Sequence, residues 1–243
     1  MADAPKNRLE DRIEKTLVES GLGQTRVYEI RQLIEQYCQE AQTDPITQLP
    51  LRSQMERLFE PMLRRAREYG SPFSVLMLDL DNFKEVNDDH GTGYTAFDGK
   101  HYQGHDAGDA LLKDIGEIIK KNMRTGDIII RKGGDEILIG LPFTGIENEE
   151  EHISDRNNQE PKLEQTRFHF PNKAELVAYK LCWRIQKRTD HTASIGIAAY
   201  PITTREPDLS TLITQADQAA YSVKEDGKNG YAVYGRNAIS HLK

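Results

Sequence analysis

The hydrophobic positions change period several times along the chain, and each change marks an element. Leu9, Ile13 and Leu17 recur every four positions, the spacing breaks at Ser20-Gly21-Leu22-Gly23, and Val27, Ile30, Ile34 and Tyr37 resume it. This predicts two amphipathic helices over residues 7–40 with a short joint, their narrow apolar stripe suited to a dimer seam or to packing on a neighbouring domain. Asp44-Pro45 opens a different texture, and Ser53 is placed to cap a helix running to about Tyr69. Residues 73–80 (FSVLMLDL) form a nearly continuous apolar run, the pattern of a buried strand. Helical spacing follows over 107–123. Residues 128–130 and 137–141 then read as short strands joined by a tight hairpin through Gly133 and Gly134. Residues 172–187 and 209–224 read as helices, and 191–200 and 231–234 as strands. The order predicts an α+β fold: a mixed central sheet with the hairpin at its centre and helices on both faces.

Two stretches fit no element. Residues 92–104 (TGYTAFDGKHYQG) are rich in glycine and aromatics without a period. Residues 145–171 carry seven acids against three bases and read as a surface loop. The whole chain, 243 residues with 32 Lys+Arg against 39 Asp+Glu, has a net charge of −7, which disfavours a sequence-independent duplex-DNA binder. It leaves nucleotide substrates open, because a divalent cation lets an acidic site hold phosphates. Cys38 and Cys182, neither in a CxxC, exclude a disulfide framework and read as free thiols. No apolar run reaches the roughly 18 residues of a membrane helix, and the first residues lack a signal-peptide core. The expected compartment is the cytoplasm, with neither DNA nor membrane as partner.

The candidate chemistry is acidic. Asp79 and Asp81 end the buried strand on one side of the sheet, with Leu80 opposite. Asp135 and Glu136 lie at the hairpin tip. If the hairpin pairs beside the Asp79 strand, three or four carboxylates converge, and they repel one another unless a cation compensates. Mg²⁺ takes such oxygens and keeps room for phosphate.

The string from Arg131 to Ile137 (RKGGDEI) resembles the signature of the GGDEF family of diguanylate cyclases. Five more motifs stand in that family's order between about 44 and 234. DPITQL at 44–49 is similar to its DxLTGL; DLDNFK at 79–84 with Asn87-Asp88 to DxDxFKxxND; GHDAGD at 104–109 to GHxxGD; SIGI at 194–197 to SIGIA; and Ala216-Asp217, Tyr221, Lys224 and Gly227-Lys228-Asn229 to ADxALYxAKxxGRN. The resemblance implies a ferredoxin-like, palm-type nucleotidyl cyclase domain over 44–237, preceded by a helical segment over 1–43 for dimerisation. It implies condensation of two GTP into cyclic di-GMP with release of pyrophosphate, across a homodimer, with Mg²⁺ or Mn²⁺, two ions per site. Asp79, the Leu80 carbonyl and Asp135 are then the metal ligands. Glu136, with Asp135 and Lys224, is catalytic, Glu136 assisting deprotonation of the 3′-hydroxyl. Asn87 and Asp109 read guanine. Phe83, Lys84, Lys228 and Arg131 lie along the nucleotide, the lysines neutralising the triphosphate. Arg124 and Asp127 match the family's RxxD inhibitory site, where the product binds.

Departures from the pattern also stand out. Ile137 replaces a phenylalanine, Gln48 a glycine, Leu51 an asparagine and Lys228 an arginine. Thirteen residues, 92–104, separate two guanine-reading motifs that the family joins directly. They are readable as a lid using Tyr94, Phe97 and Tyr102, as a further metal site from His90, His101, His105 and Asp98, or as a surface excursion without a role. The alternatives to a cyclase are an inactive cyclic di-GMP receptor of the same fold, an enzyme making a mixed cyclic dinucleotide, and an oligomerising scaffold.

Overall fold

The computed structural model describes Arg26 and residues 42–88, 91, 93–144, 173–200, 207–236 and 238–242. The helices expected over 7–40 and the acidic stretch 145–171 lie outside these residues. A 3₁₀ turn (Arg52–Gln54) leads into α1 (Met55–Tyr69), β1 (Phe73–Leu80) and the short α2 (Phe83–Asn87). Then come a two-stranded ribbon, β2 (Tyr94–Thr95) with β3 (His101–Tyr102), and the long α3 (Gly104–Asn122). The remaining elements are β4 (Ile128–Gly133), β5 (Glu136–Pro142), α4 (Lys173–Thr189), β6 (Ala193–Tyr200), α5 (Leu209–Glu225), β7 (Gly230–Val233) and β8 (Ile239–His241).

Six strands form one mixed sheet in the order β4-β5-β1-β6-β7-β8, antiparallel except between β6 and β7. The hairpin β4–β5 therefore lies at one side, with β4 at the edge, and not at the centre as the sequence suggested. The centre belongs to β1 and β6, whose residues are almost all buried. A strand apolar on both sides gains most where helices cover both faces. Residues 42–51 run beside the outer strand: Leu51 bridges to Arg131, and the Arg131 amide donates to the Pro50 carbonyl at 2.9 Å.

β1 alternates between two cores. Leu76, Leu78 and Leu80 pack with Ile115, Ile119 and Leu181 under α3 and α4, while Phe73, Val75 and Met77 pack with Phe59, Leu63 and Leu212 under α1 and α5. Burial at about 25 cal/mol per Å² on both faces makes this strand the anchor of the sheet. α1 buries Phe59, Leu63 and Ala66 at helical spacing and stops at Gly70, which takes a left-handed φ of 62°. Ser53 does not cap it; that residue lies within the 3₁₀ turn, and the N-cap is Gln54 without a side-chain bond. α5 has the sharper start, where the Asp208 carboxylate accepts the Thr211 amide at 2.7 Å. Four elements escaped the sequence reading, α2, β2, β3 and β8, each five residues or fewer and so without a measurable period. Among the described residues, no helix is long and apolar enough to cross a membrane.

Candidate functional site

The carboxylates gather where β1 ends. β5 pairs with β1 so that Glu136 stands directly opposite Asp79. Directly opposed residues in an antiparallel pair share a face, so both carboxylates project on the side covered by α5, with Asp135 adjoining at the hairpin tip. Burial first, and then the charges of Asp135 and Glu136, push the Asp79 carboxyl up to about 6 against the opposing pull of Lys224. The Lys224 ammonium lies 2.6 Å from Asp79 Oδ1. It arrives there because α5 lies almost on the backbone of β6. A side chain at Gly196 would meet the Ala216 carbonyl, and Ala216, Ala219 and Ala220 keep the helix low. Lys132 Nζ is 3.3 Å from Glu136 Oε2 and 3.8 Å from Asp217 Oδ1 on α5. Sequence reasoning passed over Lys132; its signal was a position four before Glu136 across a two-residue turn.

Asp81 does not join this group. β1 ends at Leu80, and the buried Asp81 carboxylate accepts from Thr192 Oγ1 at 2.6 Å, Ser194 Oγ at 2.7 Å and the Asn229 amide at 3.0 Å. Donors from two other strand ends saturate it, so it ties the sheet together. Among the described residues, no three His, Cys, Asp or Glu side chains are close enough to hold a metal. Lys224 and Lys132 lie against Asp79 and Glu136.

The hairpin turn is braced from behind. Arg131 Nε and Nη2 donate to the Gly134 carbonyl at 3.0 and 2.8 Å, and Nη1 donates to Asp44 Oδ2 at 2.8 Å. The other Asp44 oxygen accepts from the Thr47 amide and hydroxyl, each at 2.7 Å. Arg131, expected along the nucleotide, is thus engaged by the protein through all three of its guanidinium nitrogens. Gly134 takes φ 53°, and a Cβ on Gly133 or Gly134 would meet nothing within 4 Å, so the turn presents open backbone.

Asn87 is buried at the end of α2; its Nδ2 donates to the Phe83 carbonyl at 3.1 Å and its Oδ1 has no partner. It faces Gly108 on α3, where a Cβ would come within 2.0 Å of that oxygen. The glycine of GHDAGD is therefore fixed by the approach of Asn87, one residue before the half-buried Asp109. Phe83, expected along the nucleotide, turns its ring into the core under α3, where it is 4 % exposed. An apolar ring at the start of a short helix gains more there than at a wet strand end. Lys84 is exposed on α2, and Lys228 donates to Asn82 Oδ1 at the end of β1.

The stretch 93–103 is no lid. Tyr94 is 4 % exposed, and its hydroxyl and the Phe97 amide both donate to Asp114 Oδ2 on α3 at 2.8 Å. Phe97 carries the Arg188 guanidinium 4.9 Å above its ring, and Tyr102 packs partly against the core while donating to Asp98 at 3.0 Å. The ribbon packs Tyr94, and in part Ala96 and Tyr102, onto the core beside α3, while the Phe97 ring stays exposed under Arg188. The extra metal site fares no better: His101 Nδ1 bonds Thr95, and Asp98 is engaged by the Lys100 amide and Tyr102. His90 lies outside the described residues.

On the far side of the domain, a cleft of about 260 Å³ opens between the start of β4, the end of β5 and α4. Arg124, Asp127, Lys180 and Thr144 supply its polar wall. Asp127 Oδ2 accepts the Arg124 amide at 2.8 Å, which closes the turn before β4 and leaves the Arg124 side chain exposed. Cys182 is a buried free thiol, its ionisation opposed by burial.

Comparison with known proteins gives a consistent answer. The family model described as diguanylate cyclase, GGDEF domain, matches residues 41–95 and 100–177. Diguanylate cyclase DosC of Escherichia coli is 31 % identical over 201 residues, which are 82 % of this chain and 37 % of DosC. The bifunctional cyclase/phosphodiesterase MucR of Pseudomonas aeruginosa is 33 % identical over 201 residues, 79 % of this chain and 23 % of MucR. The chain thus spans less than two fifths of the length of these relatives. Among solved structures, the GGDEF domain of YfiN (TpbB) from P. aeruginosa aligns at TM-score 0.58 and 26 % identity, over 79 % of this chain and 99 % of that domain. The GGDEF domain of DgcB from Caulobacter crescentus, at TM-score 0.59 and 18 % identity over 80 % and 94 % of the two chains, shares the fold. With the α+β sheet, the motif order and the family match in agreement, this chain belongs to the GGDEF family of diguanylate cyclase domains.

Proposed function

We propose that this chain is a diguanylate cyclase that joins two GTP into cyclic di-GMP and releases pyrophosphate. The observation that carries the reading is the cross-strand pairing of Asp79 with Glu136 beside Asp135, at a strand end where two lysines hold the uncompensated charge. The relatives named diguanylate cyclase support it. The donor set fits a hard divalent cation: the Asp79 and Asp135 carboxylates and the Leu80 carbonyl are oxygen ligands, and burial penalises the bare Asp79 charge. Mg²⁺ or Mn²⁺, two per site, supplies charge neutralisation at the phosphates and acidifies the attacking hydroxyl.

The chain's own groups do the rest. Glu136 accepts the 3′-hydroxyl proton of one GTP as that oxygen attacks the α-phosphate of the other. Lys224, Lys228 and Lys84 neutralise the triphosphate, and the open backbone at Gly133 and Gly134 gives a phosphate close approach. Arg131 braces the turn. Asp109 accepts from the N1 and N2 donors of guanine, and the unpartnered Asn87 oxygen is the buried acceptor that such a ligand satisfies. Each domain, over 44–237, holds one GTP, so two must face each other; helices within 1–43 raise the effective concentration of the half-sites in a homodimer. The cleft with Arg124 and Asp127 is the proposed seat of the product, its guanidinium suited to phosphate and its carboxylate to guanine donors.

The test is incubation with GTP and Mg²⁺, with products identified by mass spectrometry and Glu136→Ala as control. Cyclic di-GMP from the wild type alone is the expected result. No product at any protein concentration, with cyclic di-GMP still bound through Arg124 and Asp127, overturns it in favour of the receptor.

A further inference from the structure

The turn between α5 and β7 holds two consecutive non-glycine residues in the left-handed region, Lys228 at φ 66° and Asn229 at φ 48°. L-residues adopt this conformation unfavourably, so the surroundings must hold it. The Lys228 amide donates to the Val223 carbonyl at 2.9 Å, and the Asn229 amide to Asp81 at 3.0 Å. The remaining restraints come from β8. The Leu242 amide donates to the Asn229 carbonyl at 3.0 Å, and Asn229 Nδ2 to the Leu242 carbonyl at 3.2 Å. His241 Nδ1 lies 2.9 Å from the Lys228 carbonyl, and its Nε2 lies 2.9 Å from Asp226 Oδ2. β8 sits tightly on β7: opposite His241 is Gly230, where a Cβ would be 2.4 Å from the Ser240 carbonyl.

The two partners of His241 decide its protonation. A carbonyl oxygen and a carboxylate only accept hydrogen bonds, and a neutral imidazole carries one N–H. Only the imidazolium satisfies both contacts. We propose that the His241 imidazolium, bridging Asp226 and the Lys228 carbonyl, is a positioning residue that clamps the Lys228–Asn229 turn and releases it as pH rises. The charged group facing the ring is Asp226, from the α5–β7 turn. β7 presents glycine opposite it, its neighbours along the chain are Ile239, Ser240 and Leu242, and the Lys228 ammonium is directed to Asn82. The Asp226 carboxylate, and then the Lys228 carbonyl, hold the His241 pKa above its ordinary value of 6.5. The clamp is therefore complete below that value and is lost as pH climbs through the elevated one. Because this turn carries Lys228 to the end of β1 and ties to Asp81, its release weakens the triphosphate side of the site; that consequence rests on the cyclase reading, while the clamp itself does not.

The first test is an NMR titration of the histidines in the full chain. His241 is expected to titrate above 6.5, and Asp226→Asn to bring it down; titration at or below 6.5, or no response to Asp226→Asn, overturns the clamp. The protection factor of the Leu242 amide, its exchange relative to the intrinsic rate at each pH, is expected to fall above the transition and in His241→Gln; protection in the variant equal to wild type at every pH overturns it. With GTP, His241→Gln is expected to raise KM between about three- and tenfold at pH 6.5, the effect of losing one exposed charged hydrogen bond, with kcat little changed. That difference shrinks at alkaline pH, where the wild type has lost its clamp too. An unchanged KM overturns the positioning role. A wild type that makes no product from GTP fails the cyclase reading instead, and the titration and exchange experiments still decide the clamp.

Discussion

Asp79 occupies a place that a side chain selected for stability alone would avoid. Its carboxyl is pushed from 3.8 to about 6, first by burial and then by Asp135 and Glu136, even with Lys224 at 2.6 Å. The folded value lies above the unfolded one, so the folded state holds the proton more tightly. Stability then falls as pH rises from 3.8 to about 6 and stays at the lower level above. About two units correspond to about 3 kcal/mol at pH 8, an upper limit because the strand end keeps some solvent. At pH 4.5 the same relation leaves about 1 kcal/mol. Asp79→Asn removes the charge and keeps the shape, at the small expense of leaving the partly exposed Lys224 without its partner. In metal-free buffer with chelator at pH 8, the variant is expected to melt about 4–8 °C above the wild type while forming no cyclic di-GMP. The advantage narrows to about a third at pH 4.5. Differential scanning calorimetry at the two pH values gives both numbers. A variant less stable than wild type at pH 8 refutes the reasoning, since it means the Asp79–Lys224 pair stabilises more than burial costs.

Other outcomes follow from single contacts. Gly108→Ala places a methyl 2.0 Å from Asn87 Oδ1, so thermal melts are expected to show a loss of about 1–3 kcal/mol, and steady-state assays a raised KM for GTP. Gln48 stands at φ 56°, so Gln48→Val is expected to lower stability by about 1–2 kcal/mol by chemical denaturation, whereas Gln48→Gly is expected to be neutral or mildly stabilising. Tyr94→Phe leaves the buried Asp114 with one donor fewer and is expected to cost about 1–3 kcal/mol in urea titrations, which a solvent-facing lid would not.

The sequence by itself determined the long elements. β1, with its nearly continuous apolar run, has the predicted ends, and α4, β6 and α5 fall within two residues of theirs, because burial on one or two faces writes a period into the chain. It also placed Asp135 and Glu136 together at the hairpin tip, since the glycine pair and the two acids are adjacent in the chain and their turn chemistry is local. What only the tertiary structure decided is who pairs with whom. That Glu136 faces Asp79, that Asp81 is withdrawn to Thr192, Ser194 and Asn229, and that Arg131 reaches back to Asp44 all depend on contacts between residues 57 to 148 positions apart. The hairpin was expected at the middle of the sheet and stands at its side, because a local turn signal does not encode sheet order. Phe83, placed near the nucleotide by its motif, has its ring in the core, and Tyr94 and the Phe97 amide, for which a lid was one of three readings, tie the ribbon to Asp114 on α3. For Phe83 and Tyr94 the aromatic ring took the nearest apolar surface, and where that surface lies is a property of the assembled fold.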